Sequence, residues 1–120
     1  MVSRIASINM LDLDDAYITI KAVEHLTVLE HLAELRLKGC TELYNDCVPY
    51  LNKIKGLALL HLVGTHITIE GLVNMNTLIR LKKLFISVDP KQDITLQMQR
   101  LKKELPACDF YVNYQLYEFG

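Results

Sequence analysis

The chain has no marked excess of charge of either sign. Lys and Arg number 13 and Asp and Glu number 14, for a formal net charge of −1. A general nucleic-acid binder carries a basic excess, so that class is excluded. Long apolar runs are missing too: no stretch reaches the roughly 18 residues that a membrane-crossing helix needs. Peripheral association with a membrane stays compatible with that absence. Cysteine is scarce and odd in number, with only Cys40, Cys47 and Cys108 and no CxxC pair. A disulfide scaffold is therefore not expected, and a reducing compartment is. Residues Met1 to Met10 hold one Arg and no long apolar core, so they read as neither a secretory signal nor a transit peptide.

Chemical motifs are also lacking. There is no Gly-rich phosphate loop and no hydrolase-type Ser motif. No paired carboxylates stand out beyond "DLDD", Asp12 to Asp15, which reads as a solvated strand end. His25, His31, His61 and His66 stand at metal-ligand spacing with no other His or Cys, so no metal is expected. A nucleophilic cysteine needs an electropositive niche. Cys47 instead follows Asp46, whose charge raises a thiol pKa. Cys40 occupies a turn position and Cys108 a core position. No enzyme activity and no cofactor are expected.

What is present is a globular composition, 51% hydrophobic and 22% charged over 120 residues, which fits one domain. Within it one pattern recurs: Ile8-x-x-Leu11-x-Leu13, Leu32-x-x-Leu35-x-Leu37, Leu57-x-x-Leu60-x-Leu62, Leu81-x-x-Leu84-x-Ile86 and Leu105-x-x-Cys108-x-Phe110. The third anchors fall at residues 13, 37, 62, 86 and 110, in steps of 24, 25, 24 and 24. That is the period and pattern of a leucine-rich repeat. Alternate side chains of a strand face opposite sides, so the anchors point inward and the residues between them outward.

Each strand should be followed by a helical return with a buried stripe. The stripes read Val23, Leu26 and Leu29; then Val48, Leu51 and Ile54; then Leu72, Met75 and Leu78; then Ile94, Met98, Leu101 and Leu105. Pro49 suits an early helical turn. The fold class predicted is α/β: a short leucine-rich-repeat solenoid of about five parallel strands with helical returns. Its units lie near residues 8–31, 32–56, 57–80 and 81–104, with a C-terminal cap at 105–120. The echo of "AYITIKAV" by "THITIEGL", 49 residues on, marks where units one and three leave the sheet. Ile18 and Ile67 should plug the core there. In unit two "CTELYNDC" is one residue longer.

Outward residues of such a sheet form columns. The central one reads Asp12, Arg36, His61, Phe85, Asp109. The next reads Asp14, Lys38, Val63, Ser87, Tyr111, and the preceding one Met10, Glu34, Leu59, Lys83, Ala107. Asp12 with Arg36 and Asp14 with Lys38 are expected cross-strand pairs. Arg36, Lys38, Leu59, His61, Val63, Phe85 and Tyr111 are the candidate partner-binding residues, because exposed aromatics near a cation mark protein-binding patches. The competing reading is that the C-terminal tail folds over them.

The run from Leu11 to Leu51, with "DLDDAYI", "VEHL", "LEHLAELRLKGC" and "NDC", resembles the leucine-rich part of one family. Its members are mitochondrial ATP synthase subunit s, or coupling factor B, and the complex I distal membrane-arm assembly proteins. The close "RLKKELPACDFYV" is similar to that family's ending, and the likeness spans about residues 5–112. It implies a non-enzymatic accessory or assembly factor on the matrix side of the inner membrane, bound to a respiratory-chain or ATP synthase subunit. Two features depart from the family. The helical domain that precedes its repeats and is tied to metal binding has no counterpart here. Lys38 also stands where one member of a cysteine pair would be, beside Cys40. Neither a dithiol nor a metal site carries over. The alternative is a free-standing bacterial or cytosolic leucine-rich-repeat protein with an unrelated protein partner.

Overall fold

A computed structural model describes residues 8–119; Met1 to Ser7, most of the stretch read for a leader, lie outside the described residues. The fold is mixed α/β, with one open six-stranded sheet. Strands β1 (Met10–Asp12), β2 (Glu34–Arg36), β3 (Leu59–His61), β4 (Lys83–Ile86) and β5 (Asp109–Val112) are parallel, and their order in the sheet is their order in the chain. The count is six rather than five because the chain turns back after β5. Strand β6 (Gln115–Leu116) then pairs antiparallel with β5. The two-residue turn between them, Asn113 and Tyr114, has φ of 51° and 68°. Positive φ at both central residues matches the right-handed twist of a hairpin.

The returns are short. Helix α1 (Ile20–Leu26) follows β1, and a 3-10 turn (Asn45–Cys47) runs into α2 (Val48–Leu51) after β2. Helix α3 (Ile69–Leu72) follows β3 and α4 (Thr95–Glu104) follows β4. Pro49 sits in the first turn of α2, where no backbone donor is required of it. Thr68 begins α3 by accepting the Gly71 N–H on its hydroxyl, at 3.3 Å. The Thr of the echoed segment thus ends the extended stretch and starts the helix. Its counterpart Thr19 precedes α1 without a side-chain cap.

One hydrophobic core joins sheet and returns. Leu35, Leu60, Leu84 and Phe110 are fully buried along the strands, as are Val23, Leu51, Leu72, Met98 and Leu101 from the returns. Leu26 and Ile18 are only partly buried, since among the described residues unit one packs against a neighbour on one side. In unit two Leu43 takes the position of Ile67, and the extra residue lies between Leu37 and Leu43. Neighbouring returns are stitched by side chains. Asn45 Oδ1 accepts the Thr68 N–H at 2.9 Å, and Asn52 Oδ1 accepts that of Thr77 at 3.2 Å.

Where the chain leaves each of the first three strands, Asp15, Gly39 and Gly64 all adopt positive φ. These positions stack on one another. A Cβ on Gly39 would run into Asp15 Oδ1, and one on Gly64 would stand 3.1 Å from Gly39 N. Glycine is therefore required by both conformation and stacking.

The last strand corrects the expected register. Phe85 pairs with Tyr111 and Lys83 with Asp109, so the middle anchor is Phe110 and the outer one Val112. The final step is thus two residues longer than the spacing predicts, which accommodates the ten-residue α4. A shift of two leaves every side chain on its own face and moves only the column.

Candidate functional site

The corrected register gives the outward face its geometry. The central column runs Asp12, Arg36, His61, Phe85, Tyr111. Strands about 4.8 Å apart bring rings in one column to stacking distance. His61 and Phe85 stack with centroids 4.8 Å apart and planes 11° off parallel, and Phe85 and Tyr111 at 4.6 Å and 13°. Three rings from three strands thus form one continuous ladder. Tyr114, at the hairpin tip, reaches back over β4 and meets His61 at 5.8 Å and 60°.

His61 is therefore buried, at 3% exposure, and not exposed as expected. Phe85 covers one ring face and Tyr114 leans on it. Burial pushes the His61 pKa below the ordinary 6.5, and the Arg36 charge pushes the same way. The imidazole Nδ1 accepts the Val63 N–H at 3.4 Å, which leaves its proton on Nε2. Of the other candidates, Leu59 and Val63 are half-buried in the rows before and after the ladder. Arg36, also half-buried, flanks the ladder on the β2 side.

The expected charge pairs are rearranged. Arg36 reaches Asp14 at 3.8 Å and Glu34 at 3.7 Å, while Asp12 lies beside it in register. Asp14 Oδ1 accepts the main-chain N–H of Lys38, at 2.9 Å, in place of its ammonium. The main chain supplies a donor already fixed by the fold, so no long side chain has to be ordered.

The thiols are shut in. Burial, then Asp46, pushes Cys47 up to about 12. Burial, then Asp109, pushes Cys108 up to about 12. Cys40 is raised too, by burial first, and its Sγ–H donates to Leu13 O at 3.1 Å. Thiols in this state are poor nucleophiles at neutral pH. Among the described residues no group of three or more His, Cys, Asp or Glu is arranged to hold a metal ion. A hollow of about 750 Å³ opens at the carboxyl ends of β4 and β5. On its rim Asn113 Oδ1 accepts the Val88 N–H and Asn113 Nδ2 donates to Val88 O, both at 3.1 Å.

Tyr114 is the site residue that sequence reasoning missed. The one available signal was Asn113, a residue type that tolerates positive φ in a tight turn. These features define an open α/β sheet with an aromatic outward face. No family model matches the chain, and no curated protein matches it either. Among the described residues no helix is long and apolar enough to cross a membrane.

Proposed function

We propose that this chain is a leucine-rich-repeat protein-interaction module that binds a protein partner through the outward face of its sheet and catalyses no reaction. The observation that carries this reading is the ladder of His61, Phe85 and Tyr111. Aromatic rings stacked to fixed positions on a rigid sheet offer a large contact area with little left to order on binding. The near-regular step of 24 to 26 residues between strands, with each strand beside its chain neighbours, supports the repeat reading. The sheet face is tested with the double variant Phe85→Ala, Tyr111→Ala, its fold checked by circular dichroism. Partners recovered by the parent protein should be lost from the variant; undiminished recovery removes the sheet face as the binding surface.

The partner class rests on the resemblance of residues 5–112. It places the chain as an accessory or assembly factor at a mitochondrial inner-membrane complex, ATP synthase or complex I, on the matrix side. A pull-down from detergent-solubilised mitochondria tests it. Absence of any respiratory-chain or ATP synthase subunit rejects this role and leaves the free-standing binding protein, cytoplasmic, with an unrelated partner.

A further inference from the structure

The molecule carries two surface patches of opposite sign. The first is the sheet face. Its β1–β2 side gathers Asp12, Asp14, Asp15 and Glu34 against Arg36 and Lys38, an excess of two negative charges. Of these, Arg36 is shared by Asp14 and Glu34, and among the described residues no ion pair reaches Asp12. The aromatic ladder adjoins this corner: Asp12 lies two strands from His61 and Glu34 two strands from Phe85, each about 10 Å.

The second patch lies on α4. Met98 and Leu101 are buried inward, so Leu96, Arg100 and Lys103 form the opposite, outer stripe. Leu96 is 66% exposed, and Arg100 and Lys103 are exposed. Neither cation makes an ion pair among the described residues. Ile79, 74% exposed, and Arg80 belong to the neighbouring return and repeat the same combination. On a helix, residues seven apart lie on one face about 10.5 Å from each other. Leu96 and Lys103 therefore have the spacing that separates the ladder from the acidic corner.

We infer that a second copy of this chain docks on the sheet face through the outer stripe of α4, with Leu96 on the ladder and Arg100 and Lys103 toward Asp12 and Glu34. The inference rests on the sheet face being a binding surface. The contact is head-to-tail: each copy offers one face and one helix, so assembly grows with concentration instead of closing as a symmetric dimer. It is charge-dependent and weakens with salt. Self-association also covers the surface a foreign partner uses, so the two compete.

Sedimentation velocity of the whole chain, across protein concentration and at low and high salt, tests this. The parent should grow beyond dimer at low salt. A helix variant, Arg100→Glu with Lys103→Glu, and a face variant, Asp12→Lys with Glu34→Lys, should each sediment as monomer. Mixed, they should associate again, because the unchanged helix of the face variant meets the unchanged face of the helix variant, and the reversed helix meets the reversed face. The helix variant mixed instead with Phe85→Ala should stop at a dimer, because the intact helix of Phe85→Ala docks on the intact face of the helix variant while the reversed helix and the broken ladder extend the assembly no further. The helix variant mixed with the parent should cap growth, because its intact face accepts a parent helix while its own helix accepts nothing. A parent that stays monomeric at low salt, or a helix variant that still grows alone, overturns the inference. A monomeric parent whose foreign partner is lost on Phe85→Ala, Tyr111→Ala overturns the second copy alone and leaves the sheet-face reading in place.

Discussion

Single residues set how the face behaves with pH. His61 is held neutral, and its folded pKa lies below the ordinary 6.5 because burial and Arg36 disfavour the cation. Its contribution to stability is therefore present above about pH 6.5 and is lost as pH falls through the folded value. Urea denaturation at neutral and mildly acidic pH should show this loss. His61→Phe keeps a ring in the ladder and should reduce the fall relative to the parent; an identical fall would mean His61 does not contribute to it. Gly39 gives a second case. Gly39→Ala forces a side chain into a positive-φ position already occupied by Asp15 Oδ1, and should cost about 1–3 kcal/mol by denaturant melting. At this scale the sequence was only partly readable. Phe85 and Tyr111 stood out as outward aromatics, but His61 is also met by Tyr114, which is 53 residues away. Gly39 precedes Cys40, whose turn position was visible, and Gly64 holds the equivalent place in the next unit. Their own role became apparent only once the units were stacked on one another.

At the scale of elements, the hairpin β5–β6 links the end of the sheet to its outward face. Its tip brings Tyr114 onto His61 while its trailing residues pack Phe119 against Phe110 and Tyr117. If the tip supplies part of the burial that lowers the His61 pKa, Tyr114→Ala should raise that pKa toward 6.5, as read by an NMR titration of the imidazole. No movement would assign the burial to Phe85 and the strands alone. The strands themselves were legible because their anchors recur at a fixed step. The fifth was misplaced because Leu105-x-x-Cys108-x-Phe110 and Cys108-x-Phe110-x-Val112 offer the same alternation. All of these inner positions except Val112, which is half-buried, are buried, so hydrophobicity does not distinguish a slip of two. The length of α4 decided it, and helix ends are poorly marked here: Thr95 follows Asp93 rather than a conventional cap at Ile94. The sixth strand was hidden for a related reason, since two residues cannot show a period.

At the scale of the whole molecule, the regular order of strands has a mechanical consequence. Strand order in the sheet follows chain order from β1 to β6, so the first and last strands are its opposite edges. A pull on the two ends of the chain therefore acts across the sheet. It loads the hydrogen bonds of one edge pair at a time, as a zipper is opened, instead of shearing all of them together. The structure should yield at low force and in steps. Each parallel unit, 24 to 26 residues between register partners, should release roughly 80–90 Å of chain at about 3.4 Å per residue. Optical-trap extension from residues 8 and 119 would register these increments; one rupture spanning the whole length would show that the units share load. An end-to-end tether of this kind resists little but pays out length evenly, one strand after another.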